Sequence, residues 1–167
     1  KYGFRDYRGG GRSSGRETIG RVAAGAIAAK LLESLGITVQ AYTSAVGPVK
    51  IDHSHMDMEE ISKNRLYMPD KAAAAEAESY MEDMMQRRDS CGGVVECVIR
   101  GLPAGVGEPV FDKLDAALGK AVMSIGAVKG FEIGDGFEAA ASLGSRNNDS
   151  FVIGKDKKPQ KVTNHSG

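Results

Sequence analysis

At 167 residues and 17.6 kDa, the chain is long enough to bury a core without disulfide staples. Hydrophobic residues at 41% and charged residues at 26% exclude wholesale disorder, and two cysteines, Cys91 and Cys97, exclude a disulfide framework and make a reducing cytoplasm the expected compartment. Twenty-two Lys and Arg balance twenty-two Asp and Glu, which argues against a nucleic-acid partner. No apolar run approaches the ~20 residues of a membrane span, so no membrane partner is expected either.

Neutrality hides an asymmetry. Residues 1–30 carry seven basic and two acidic side chains, +5, whereas residues 31–100 carry seven and twelve, −5. Arg5, Arg8, Arg12 and Arg16 interleave with Gly3, Gly9, Gly10, Gly11 and Gly15 in loop chemistry, a local concentration suited to a small anion. Ser14-Gly15-Arg16-Glu17 then fits the S/T-x-x-E capping box. Ile19, Val22, Ala23, Ala26, Ile27 and Leu31 recur near the 3.6-residue period, predicting a helix that Gly36 stops. Its other face is Ala24, Gly25, Ala28 and Ala29, with no charge between Arg21 and Lys30. A helix apolar on nearly every side is expected between two layers.

Ile37, Val39 and Ala41 alternate with Thr38, Gln40 and Tyr42, predicting a strand over 37–45. Residues 47–69 carry prolines, charges and no clear period, and read as an irregular surface excursion. Pro69-Asp70 opens a second predicted helix, running to about Arg88 through Ala73, Ala77, Tyr80, Met81, Met84 and Met85, with the three methionines as core filler. Gly92-Gly93 breaks it before a strand over 94–99 that sets Val95, Cys97 and Ile99 on one face. A helix over 112–123 follows, then strands over 128–133 and 137–142 around a Gly134-Asp135-Gly136 hairpin turn. Residues 144–167 are polar and are expected to be a flexible segment of the same domain as 1–143.

The glycine- and arginine-rich stretch is the leading candidate site. Backbone N–H groups at a helix start favour anions, Ser13 and Ser14 add hydroxyl donors, and Arg12 and Arg16 can neutralise a phosphate or carboxylate. The same residues also suit a plainly capped helix with solvated arginines, and their chemistry leaves both readings open. No G-x-x-x-x-G-K-[ST] string is present. Gly134 to Ala139 spells G-x-G-x-x-A, but an alternating pattern follows where a dinucleotide site needs a helix. His53 and His55, flanked by Asp52 and Asp57, offer two ligands without a third, so a solvated loop and no metal are expected. Cys91 and Cys97 lack C-x-x-C spacing, His165 stands alone, and no nucleophile–base motif is visible.

The string from Lys1-Tyr-Gly-Phe-Arg-Asp through Arg12-Ser-Ser-Gly-Arg-Glu-Thr18, with Arg21-Val-Ala-Ala-Gly-Ala-Ile-Ala28, resembles the signature block of chorismate synthases. The resemblance continues at Gly101-Leu-Pro-Ala-Gly-Val-Gly-Glu-Pro-Val-Phe-Asp112, at Met123-Ser-Ile-Gly-Ala-Val-Lys-Gly-Phe-Glu-Ile-Gly-Asp-Gly-Phe137 and at Asn164-His-Ser-Gly167. It implies an α+β fold of helices packed between antiparallel β-sheets, incomplete here, and a homotetrameric parent. The implied reaction converts 5-enolpyruvylshikimate 3-phosphate to chorismate by 1,4-anti elimination of phosphate and a proton. It needs reduced FMN, with NADPH as reductant in bifunctional relatives.

By position, Arg12, Ser13 and Ser14 match the family's Arg-Ser-Ser flavin element, and Gly126 and Ala127 match a second flavin-contacting pair. Some relatives carry Asn where this chain has Gly126, so the resemblance implies only backbone contact there. Arg8 and Arg16 are implied anion neighbours, unassigned between flavin and substrate. The family's two histidines and its proton-removing Asp have no counterpart, and His53, His55 and His165 do not replace them. No catalytic residue is therefore assigned. The chain is expected to be a central piece of such an enzyme, inactive by itself. The alternatives are a non-catalytic anion- or flavin-binding module of the same fold and a purely structural piece.

Overall fold

A computed structural model describes residues 3–4, 7–11, 14–155 and 157–166. In chain order they form α1 (Ile19–Ser34), β1 (Thr38–Val46), β2 (Val49–Lys50), α2 (Lys71–Gln86), β3 (Gly93–Arg100), α3 (Leu114–Met123), a one-turn α4 (Gly144–Asn147), β4 (Phe151–Ile153) and β5 (Pro159–Lys161). Both sheets are antiparallel, and the class is α+β as expected. Contacts cluster in two units, residues 25–102 and residues 1–24 with 103–167.

In the first of these units the sheet order is β2-β1-β3. Val39 pairs with Ile99, Ala41 with Cys97 and Thr43 with Val95, so the two apolar faces predicted from alternation do meet on one side of the sheet. The core lies on the other side. Tyr42 is 4% exposed and packs with Val46, Val49, Ile51, Met68, Ala73, Ala74 and Ala77, while Val39 and Val95 stay exposed. Alternation finds the period of a strand, not which face has a partner.

The 47–69 stretch is irregular but not a surface excursion, because it inserts Val49, Ile51, Met68 and Pro69 into the core. A side chain makes this affordable. The Asn64 amide donates to the Glu60 and Met68 carbonyls at 2.8 Å, and its oxygen accepts from the Leu66 and Met68 amides at 3.2 and 3.1 Å. The backbone around fully buried Met68 is thus satisfied without a ladder. Asp70 caps α2 by accepting from the Ala72 and Ala73 amides at 2.9 and 3.1 Å, and its other oxygen takes the Asp52 amide at 3.0 Å. These bonds hold its carboxyl below the usual carboxylate range, the Asp52 amide foremost. Of the predicted α2 core side, Met84 is buried and Met81 packs at the rim, but Met85 is 67% exposed.

α1 ends as its glycine implies. Ile37 donates to the Leu32 carbonyl and Gly36 to that of Glu33, both within 3.0 Å, a Schellman closure with Gly36 at φ +77°. Gly101 lies against the same turn, where a Cβ would collide with the Gly36 carbonyl oxygen. The cover expected around α1 is not seen among the described residues. No α1 residue is buried, and Val22, Ile27 and Leu31 are 63–74% exposed. An apolar circumference says what a helix must avoid, not what covers it.

Among the described residues, none of the buried core lies in the second unit. The predicted strands over 128–133 and 137–142 do not form: 128–133 take no regular structure, and Gly136–Ala141 is a 3-10 helix. Glu138 and three successive alanines favour helical turns over a short alternating strand. β4 and β5 form a hairpin gathered around Asp149, whose carboxylate accepts from Thr163 Oγ1 (2.9 Å), the amides of His165 (2.7 Å) and Ser166 (3.2 Å), and pairs with Lys161 Nζ at 2.9 Å. Lys161 above all holds the Asp149 carboxyl far below its ordinary range. His165 Nδ1 lies 2.8 and 3.0 Å from the Asp135 carboxylate oxygens, and the Asp135 amide donates to the His165 carbonyl at 2.8 Å.

Candidate functional site

The expected anion site begins at the start of the first helical run. Arg12 and Ser13 lie outside the described residues. Ser14 is extended at the N-cap of a 3-10 turn, Gly15–Thr18, which leads directly into α1. The capping box does not close. Ser14 makes no side-chain cap bond; its hydroxyl accepts from Arg16 Nε at 3.2 Å, and Glu17 turns forward to Arg21. A 3-10 turn is tighter than an α-turn and does not bring the N3 amide to the cap hydroxyl.

Arg21 connects this helix start to a distant turn in the same unit. One guanidinium nitrogen pairs with Glu17 four residues earlier, and the other donates to the Ser124 carbonyl at 3.0 Å and to its hydroxyl at 3.4 Å. Ser124 is the C-cap of α3, where unpaired carbonyls and the negative dipole end favour a cation. Its hydroxyl in turn donates to the Ala121 carbonyl at 2.6 Å. Two residues later, Gly126 and Ala127 occupy the centre of a turn in which the Val128 amide donates to the Ile125 carbonyl at 3.4 Å. Ala127 sits at φ +70°, a left-handed conformation that costs an L side chain about 1 kcal/mol and that Gly or Asn would adopt more readily.

The surroundings suit a phosphate-bearing ligand. A Cβ built on Gly9, Gly11, Gly15 or Gly126 would meet nothing within 4 Å, so the backbone is open to close approach at each. Ser14 adds a hydroxyl and Arg16 a guanidinium beside it. Arg8 lies over its neighbour Tyr7, 5.8 Å from the ring centre. Sequence reasoning missed Arg21 and Ser124. The signal for Arg21 was present, since it stands four residues after Glu17 and is the last charge before the apolar run. Nothing in the sequence pairs it with Ser124.

The other candidates do not assemble a centre. His55 pairs with Asp52 at 3.1 Å and His53 reaches Glu96 at 3.8 Å, both exposed. His55 borders a shallow concavity of about 540 Å³ with Lys50, Asp52, Asp70, Lys71 and Glu76, where the Asp52 and Asp70 carboxylates already accept from backbone amides. Among the described residues no group of three or more His, Cys, Asp or Glu could hold a metal. Cys91 and Cys97 are free thiols, and partial burial pushes Cys97 up rather than activating it. The G-x-G-x-x-A string has no strand before it and itself coils into a 3-10 helix from Gly136, so it lacks the setting of a dinucleotide loop. No helix of the described residues is long and apolar enough to cross a membrane.

Comparison with known proteins adds to this geometry. The family model described as chorismate synthase matches residues 1–167. A chorismate synthase of Lachnoclostridium phytofermentans is 62% identical over the whole of this chain and 46% of its own length. That of Agathobacter rectalis is also 62% identical, with 45% of its length covered. A crystal structure of a chorismate synthase superposes with a TM-score of 0.82 at 29% identity, over 92% of this chain and 50% of that one. The chain spans about half or less of the proteins it matches.

Proposed function

Because the chain belongs to the chorismate synthase family, we propose that it supplies a flavin-holding part of an enzyme that converts 5-enolpyruvylshikimate 3-phosphate to chorismate and phosphate. The observation that carries this reading is the Arg21–Ser124 contact. It ties the helix start bearing Ser14 to the turn bearing Gly126 and Ala127, although the two lie more than a hundred residues apart in sequence.

In this reading Arg12, Ser13 and Ser14 bind the phosphorylated tail of FMN, and the turn at Gly126 and Ala127, open at Gly126, receives another part of the cofactor. Arg8 and Arg16 add positive charge beside two polyanions that must be held in register. The chemistry that bound reduced FMN supplies is transient electron density for an elimination with no net oxidation. This chain's residues bind and orient; they carry no assigned proton donor or acceptor. Turnover therefore requires more of the relatives' length than this chain spans, in a homotetrameric cytoplasmic enzyme.

Titrating FMN with the 167-residue chain and following flavin fluorescence tests the reading. Saturable binding is expected, weakened about tenfold or more by Arg12→Ala, the loss of a charge-assisted bond worth roughly 1.5–3 kcal/mol. A wild-type chain with no saturable binding refutes the flavin assignment. Phosphate release from the substrate by this chain alone, with reduced FMN present, refutes the claim that it lacks the acid–base groups.

A further inference from the structure

We propose that Arg21 is a positioning residue for the flavin, setting the Gly126–Ala127 turn relative to the helix start while not itself touching the ligand. The proposal rests on the flavin reading above and adds a residue that the Arg-Ser-Ser element and the Gly-Ala pair do not include. Three observations carry it.

Both terminal nitrogens of Arg21 already have partners. Glu17 neutralises one side of the guanidinium, and the Ser124 carbonyl and hydroxyl occupy the other, at 3.0 and 3.4 Å. A guanidinium committed in this way has little left for a phosphate. Its attachment point is the C-cap of α3, so the contact anchors the residue from which the 125–128 turn departs. That turn also needs anchoring, because Ala127 holds a left-handed φ of +70° that its Cβ disfavours. A strained backbone persists where its surroundings over-determine it. Arg21 supplies that constraint from the helix that continues directly from the 3-10 turn capped by Ser14.

The test compares wild type, Arg21→Ala and Arg21→Lys by amide hydrogen exchange without ligand and by FMN titration. Arg21→Ala is expected to speed exchange at Ile125 and Val128 at least tenfold, with α2 amides unchanged as the internal control. FMN affinity should fall about tenfold in the same variant. Arg21→Lys keeps one donor for the Ser124 carbonyl and is expected to recover part of both effects. Unchanged exchange at 125–128 in Arg21→Ala overturns the proposal, as does lost affinity with an unchanged turn, which would make Arg21 a direct ligand. Failure of lysine to restore either property also counts against it. If wild type takes up no FMN while Arg21→Ala still frees the turn, the flavin reading fails and the staple survives as structure only.

Discussion

Tyr42 illustrates how one side chain links burial to pH. Its ring is buried in the core while its hydroxyl donates to Glu96 Oε2 at 2.8 Å, a partner directly across from it on β3. Burial first, and then the bond to Glu96, push the phenol from 10.0 up to about 12. The neutral form is thus favoured in the fold. Its contribution is complete below about pH 10, where the unfolded chain also keeps the proton, and is lost as pH rises through about 12. Urea unfolding measured from neutral to alkaline pH should therefore show stability falling across that window. Tyr42→Phe should flatten the fall, at a neutral-pH cost of about 1–3 kcal/mol for the lost charge-assisted bond. A profile equally steep in the variant would mean another group controls alkaline unfolding.

At the scale of elements, the polar C-terminal stretch is organised by one carboxylate. Asp149 gathers Lys161, Thr163, His165 and Ser166, and its side chain is only 6% exposed. A three-residue-per-strand hairpin is marginal without such support. Asp149→Asn keeps the shape but removes the charge that Lys161 pairs with and turns one acceptor into a donor. Exchange of the β4 and β5 amides is expected to accelerate markedly in this variant while α2 remains protected; equal protection in both proteins would show that the hairpin holds without the charge. The effect has a pH counterpart. A carboxyl held this low contributes fully above the ordinary carboxylate range, and its contribution is lost only as pH falls through the folded value.

For the whole molecule, the decisive feature is where the buried core is. Among the described residues it lies entirely between Ile37 and Met84, within residues 25–102, while α1 presents Val22, Ile27 and Leu31 to solvent and Phe111 and Phe137 are 94% and 80% exposed. Such exposure is uncommon in a monomer, and the similar proteins are about twice as long. The isolated chain is expected to bind a hydrophobic dye such as ANS and to self-associate as concentration rises. Ile27→Lys should lower dye fluorescence while changing unfolding free energy by less than about 0.5 kcal/mol, since Ile27 is 74% exposed. A large loss of stability in that variant would show the side chain to be packed in solution.

Local chemistry written in the sequence determined α1, its stop at Gly36, the α2 cap at Asp70 and the positions of β1 and β3. Those are short-range matters of period, capping and turn preference, and a chain carries them within a few residues. Family resemblance added the Gly126–Ala127 pair, which no local pattern marks. Only the tertiary structure decided that the core packs on the Tyr42 face, that Met68 and Pro69 are buried from an irregular segment, and that residues 137–141 coil into a 3-10 helix. It alone joined Arg21 to Ser124 and His165 to Asp135. Pairings across 103 and 30 residues depend on how the chain returns on itself, and side chains that donate and accept are too common in any sequence to announce their partners.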